Sequence, residues 1–279
     1  MTFLEKLDRL DRRIIFLIIG IAVFTPLLFK VPVKVPGSPI VQSIYEGIEA
    51  LPEGSIILLS FDYDPSTLAE LQPMSEAVVY HCVQKKHKMV FMGLWPQGPK
   101  LAQGIMDDVG PRNNLEYGVD YVNLGYKTGG LVLISSMGSA ITDPFPTDTY
   151  GASLSTLPLF KDLKTLRDFD YVVSMSAGDP GIKHWVMIAQ DRFKVPVGGG
   201  VTAVSAPAFY AYYNSGQLQG LMGGLRGAAE YETLIDVSGS ASLGMSAQNW
   251  AHLMIILFII IGNTTMLILK RRKEKSRGR

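Results

Sequence analysis

Two aspartates, Asp62 and Asp64, flank Tyr63 directly after an apolar run from Ser55 to Phe61. Carboxylates so placed can share a divalent ion, and one can attack a phosphoryl group. Asp64 also precedes Pro65, which suits a turn and a helix cap. Further polar or glycine-rich residues follow other apolar runs. Trp95 closes the run from Lys88, Ser176 and Asp179 follow the run from Asp170, and Gly198, Gly199, Gly200 and Thr202 follow Val195 to Val197. In open α/β sheets ligands bind outside the carboxyl ends of the strands. Asp62, Asp64 and Asp179 are therefore the candidate catalytic residues. Trp95, Ser176, Gly198, Gly199, Gly200 and Thr202 are the candidate ligand-binding residues. Turns favour the same residue types, so composition does not by itself separate a site from a turn.

The Asp-x-Asp pattern resembles the opening motif of the haloacid-dehalogenase phosphatases, over about ten residues of the chain. Ser135 or Ser136 would stand for the second motif of that family, and Gly178 with Asp179 for part of the last. The resemblance implies a magnesium-dependent phosphohydrolase with Asp62 as nucleophile and Asp64 as acid/base. The chain departs from the pattern at Pro180 to Lys183, where a second acidic residue is missing. No other metal set is visible. Cys82 is the single cysteine, in an apolar helix where it suits a buried small hydrophobe, and His81, His87, His184 and His252 do not cluster. No metal or cofactor is expected outside the phosphohydrolase reading, which would need magnesium. Gly198 to Gly200 is not a Walker loop, since no Gly-Lys-Ser/Thr follows.

The elements that must position these residues alternate. Helical spacing from Ile40, an apolar run to Phe61, a helix from Thr67 to about Lys86, a strand from Lys88 and a helix from Lys100 give way to further runs at Tyr121, Asp170 and Val195. Thr67 and Glu70 have capping-box spacing. Gly129 to Met137 is read as helix, and Ala208 to about Ile235 as helical. The fold class is α/β, a three-layer, doubly wound, mostly parallel sheet of Rossmann or flavodoxin type, flanked by N- and C-terminal transmembrane helices.

The flanks are the clearest signal. Trp250 to Leu269 holds no acidic residue, Lys or Arg and stops at Lys270. About 20 apolar residues span the hydrocarbon core of a bilayer. Ile14 to Phe29 is also apolar, between Arg12-Arg13 and Lys30, and no small-x-small cleavage site follows it. The expected organisation is a cytoplasmic tail 1–13, a transmembrane helix 14–33, an extracytoplasmic α/β domain 35–236, a linker 237–247, a transmembrane helix 248–269 and a basic cytoplasmic tail 270–279. Gly20, Gly262 and Asn263 are the candidate membrane-helix contacts, because small and polar residues within a span favour helix association.

The net charge of +1 conceals a split, with +6 on Lys270 to Arg279 and −6 on residues 14–269. A mildly acidic body argues against a nucleic-acid partner. Basic tails beside spans place both termini in the cytoplasm and the domain outside, in periplasm, exterior or lumen. The sequence therefore favours a membrane-anchored extracytoplasmic domain that acts as a binding or scaffold subunit of a membrane protein complex. Its partners would be the bilayer and other subunits or a second copy. The competing expectation is the tethered phosphohydrolase.

Overall fold

The computed structural model describes residues 11–277. The apolar runs form strands β1 (Ile56–Asp62), β2 (Lys88–Gly93), β3 (Tyr121–Tyr126), β4 (Tyr171–Ser176), β5 (Val197–Val201) and β6 (Gly220–Gly223). They make one six-stranded sheet in the order β3-β2-β1-β4-β5-β6, with every neighbouring pair parallel. This is a Rossmann-like order, and the winding reverses between β1 and β4. The central strands are covered on both faces, which is why they read as continuous rather than alternating apolar runs.

Helices α2 (Pro39–Glu49), α3 (Leu68–Gln84), α4 (Gly98–Arg112) and α8 (Gly224–Leu234) cover one face of the sheet. The other face carries α5 (Gly130–Met137) and α6 (Ile182–Trp185), which runs on as a π-helical turn Val186–Gln190. On that side Leu58, Val90, Val122 and Val172 pack with Leu133, Ile134, Trp185 and Val186. A short α7 (Tyr210–Asn214) precedes β6.

Several expectations change here. The fifth strand begins at Val197 rather than ending there, so the glycine triplet lies inside it. A Cβ on Gly198 would come 2.7 Å from the Tyr171 hydroxyl, one on Gly199 2.4 Å from the Ser174 carbonyl oxygen, and one on Gly200 2.5 Å from Met74 Sδ. Glycine is required there by close packing on both faces. The stretch read as helical from Ala208 contains strand β6, whose glycines let it lie against α2: a Cβ on Gly220 would sit 2.5 Å from the Ile44 nitrogen. Thr67 precedes α3 but makes no side-chain cap, and Glu70 instead accepts from the Ala203 N–H at 2.8 Å. Cys82 is fully buried.

The chain divides into two compact units, one of Lys34–Ser242 and one of the segments up to Val33 and from Leu243 onward. In the second unit α1 (Arg12–Leu28) is a 17-residue helix, and Asp11 accepts from the Arg13 N–H at its start. At 1.5 Å per residue α1 is about 25 Å long, short of the roughly 30 Å hydrocarbon core. Helix α9 (Ser240–Arg277) contains Ser240–Arg271, the single helix among the described residues that is long and apolar enough to cross a bilayer. The expectation of two flanking spans is thus corrected to one helix of sufficient length. The expected linker 237–247 is also corrected. Glu232, buried on α8, accepts from the N–H groups of Gly239, Ala241 and Ser242 at 3.1, 2.8 and 2.8 Å. A carboxylate there meets the otherwise unpaired donors of a helix start, so the helix begins at Ser240 instead of a leash. Of the tail 1–13, residues 1–10 lie outside the described residues, as do 278–279 of the basic tail.

Candidate functional site

Asp62 ends β1, and strand alternation puts its side chain on the Trp185 side of the sheet with Ser60. It is fully buried. Ser60 Oγ donates to its two oxygens at 2.8 and 2.9 Å, the Leu94 N–H donates at 2.7 Å, and Ser174 Oγ donates at 3.0 Å. Burial pushes its carboxyl up to about 6, opposed by the hydrogen bonds from Leu94, Ser60 and Ser174. The Trp185 indole N–H also lies toward this carboxyl, without a hydrogen bond of ordinary geometry. One carboxylate thus joins the end of β1 to the turn after β2 and to β4.

Asp64 is placed quite differently. It is only partly buried, and its Oδ1 accepts from Ser66 N at 2.9 Å and Ser66 Oγ at 2.6 Å, which caps the 3₁₀ turn Pro65–Thr67 before α3. The Ser66 hydroxyl, then its N–H, holds Asp64 below the usual carboxylate range. Tyr63 is buried between the two aspartates, its hydroxyl bonded to Gln72 and Ser75. Asp62 and Asp64 do not converge on one point. Among the described residues no group of three or more His, Cys, Asp or Glu side chains could hold a metal ion. The magnesium site implied by the phosphatase resemblance therefore finds no support.

The crevice where the winding reverses is filled. Ala177 N bonds to the Asp62 carbonyl at 3.0 Å, and Trp95 Nε1 donates to the Pro180 carbonyl at 2.9 Å. The loop after β4 is thereby drawn over the ends of β1 and β2. His184 Nδ1 accepts from Gly181 N at 3.4 Å, capping α6, and lies 3.8 Å from the exposed Asp179. A cavity of about 210 Å³ opens one strand further on, at the ends of β4 and β5. Ser176, Gly178, Asp179, Val201, Ser205 and Phe209 line it. Ser176 Oγ donates to the Gly178 carbonyl at 2.9 Å and Thr202 Oγ1 donates to Ser205 Oγ at 3.0 Å.

Of the residues singled out in the sequence, Ser176 and Asp179 line this cavity. Thr202 adjoins it through Ser205, and Trp95 braces its loop from the far side. Asp62 lies beneath the sheet end, Asp64 points outward, and Gly198 to Gly200 are inside β5. Val201, Ser205 and Phe209 were missed. The Ser205-Ala-Pro segment has the residue types of a turn and nothing that marks a cavity wall.

A second buried polar cluster stands among the helices of the opposite face. His81 on α3 is buried and stacks on Tyr45 at 5.0 Å between ring centroids. Its Nδ1 is 2.7 Å from the Tyr231 hydroxyl and its Nε2 2.9 Å from Glu49, which also takes Lys85 at 2.9 Å. Burial holds Tyr231 well above the usual phenol range, so its hydroxyl donates to Nδ1 and Nε2–H donates to Glu49. Burial lowers His81 against the pull of Glu49, and the Lys85 and His81 hydrogen bonds lower Glu49.

Among the described residues of the second unit, neither candidate glycine makes a close helix contact. An added Cβ would meet nothing within 4 Å at Gly20 or at Gly262, and Asn263 is exposed. No family model, no curated protein and no solved structure matches the chain.

Proposed function

We propose that the chain is a membrane-anchored binding or scaffold subunit whose α/β domain lies outside the cytoplasm. In this reading α9 crosses the bilayer, and the basic tail from Lys270 remains in the cytoplasm. The supporting surface is apolar. Phe16, Phe24, Ile256 and Ile260 are each more than half exposed, which suits lipid rather than water. The cavity between Ser176 and Phe209 is the ligand or partner site of the domain.

One observation carries the choice of binding over phosphoryl transfer. Asp62, the nucleophile that the phosphatase resemblance implies, is sealed below the sheet end and committed to Ser60, Ser174 and Leu94. A nucleophile must reach its substrate, and this carboxylate faces the core. The test uses the full chain in mild detergent with magnesium and a generic phosphomonoester. Equal phosphate release by wild type and Asp62→Asn supports the binding reading, whereas release that depends on Asp62 overturns it. Protease added to intact spheroplasts tests the placement. The domain should be digested, and its survival until the bilayer is broken would overturn the topology.

A further inference from the structure

Helix α9 has two distinct faces within its apolar stretch. Ala251, Met254, Phe258, Ile261, Thr265 and Leu269 are its less exposed residues, spaced three and four apart along one stripe. This stripe belongs to the contact with α1, since Ile18, Ile21, Ala22 and Thr25 line a shared cavity with Trp250 and Met254. Asn263 is two residues from each of Ile261 and Thr265, hence roughly 160–200° around the helix from both. It is exposed on the face turned away from α1. Asn249, Ile256, Asn263 and Lys270 recur there at a heptad spacing, all exposed.

An amide at that depth needs a partner. Asn263 is six residues before Leu269, about 9 Å along the axis, so it lies within hydrocarbon. Thr25 in α1 answers the same need by donating to the Ile21 carbonyl at 2.6 Å. Among the described residues Asn263 has no such bond, and α1 is on the other side.

We infer that α9 pairs with α9 of a second copy of this chain through the Asn249–Ile256–Asn263 stripe, with the two Asn263 amides bonded to each other. This rests on the reading of α9 as a membrane span. Two features favour a second copy. A primary amide carries both a donor and an acceptor, so it complements its own image across a twofold axis. Copies of one membrane protein share one orientation, so their α9 helices run parallel, as side-by-side pairing of equivalent heptad positions requires. Asn249 and Asn263, two heptads apart, then face their own counterparts in the same register, with Ile256 packed between.

The experiment uses full-length chains in native membranes, with buried Cys82 left in place. Single cysteines are introduced at Ile256→Cys, on the proposed seam, and at Met254→Cys, on the α1 side, and oxidised with copper phenanthroline. Ile256→Cys should give a product of twice the monomer mass and Met254→Cys should stay monomeric. In detergent, Asn263→Leu should weaken dimerisation about tenfold, and Asn263→Gln should largely preserve it. No dimer from Ile256→Cys, a crosslinked product of any other mass, equal crosslinking at Met254→Cys, or full dimerisation of Asn263→Leu overturns the proposal. Alkaline carbonate washing separates the two readings. Release of the chain from the membrane defeats the span itself, whereas retention without crosslinking defeats only the pairing.

Discussion

The two faces of the sheet each bury an ionisable cluster, and the two are built in opposite senses. At the end of β1, Asp62 is surrounded by neutral donors, and among the described residues no basic side chain pairs with it. Burial wins, and its carboxyl is pushed up to about 6. Among the helices of the other face, His81 lies between a phenol and a carboxylate that Lys85 also reaches. There the ring is held neutral by burial while Glu49 is kept ionised. The same low-dielectric surroundings thus weaken an acid in one place and a base in the other, because desolvation penalises whichever form carries charge. Neither cluster opens on the cavity at β4 and β5. Both fasten elements together, one strand to strand and the other helix to helix.

Removing the imidazole should have the largest effect. His81→Ala deletes the stack on Tyr45, leaves the buried Tyr231 hydroxyl without its acceptor and opens a cavity. A loss of about 4 kcal/mol is expected, read from urea unfolding of the full chain in detergent. A loss under about 1 kcal/mol would show that α2, α3 and α8 are held by apolar packing alone. Asp62→Ala should follow at about 3 kcal/mol, since the Leu94 N–H is left buried and unpaired. Asp62→Asn keeps an acceptor for that N–H and removes the charge. It should cost under about 1 kcal/mol at neutral pH, and a loss equal to that of Asp62→Ala would contradict the account of the cluster.

The opposed shifts give opposed pH dependences. Asp62 has a raised pKa in the folded chain, so its contribution is fully present below about 3.8 and is lost as pH rises through about 6. His81 has a lowered pKa, so its contribution is present above about 6.5 and is lost as pH falls below that value. Between pH 7 and 5 the two partly cancel in the wild type. Asp62→Asn removes the compensating half, and its unfolding midpoint should fall more steeply on acidification. Parallel midpoint curves for variant and wild type would remove Asp62 from the titration.

The sequence made the sheet legible because four of its strands, β1 to β4, are apolar runs ended by turn residues. It hid β6 and misplaced β5, since both are glycine-rich and carry little β-propensity of their own. What makes them strands is the crowding of Tyr171, Met74 and Ile44 from other elements. The site was legible only in part for a similar reason. Asp62, Ser176 and Asp179 follow apolar runs, and that pattern finds the sheet end but not the direction of a side chain. Asp62 turns inward because Ser60 and Ser174 meet it there, and nothing near Asp62 in the chain foretells Ser174. Phe209 and Ser205 reach the cavity through a crossover whose course is set by packing. The flanks were legible from hydropathy, whereas the early start of α9 depends on Glu232 from a preceding helix.

The smallest expected effect separates the cavity from both clusters. Ala208 lines the cavity at the ends of β4 and β5 and is exposed. Ala208→Phe would add a ring to an open wall and disturb no buried hydrogen bond of the Asp62 or His81 cluster. Unfolding free energy should change by no more than about 0.5 kcal/mol, as at other exposed positions. Any small molecule that raises the unfolding midpoint of the wild type by occupying the cavity should lose that effect in Ala208→Phe and keep it in His81→Ala. The expectation follows from geometry: a space of about 210 Å³ admits one small ligand, and a phenyl ring would take much of it. Retained stabilisation in Ala208→Phe would place the binding site elsewhere on the domain.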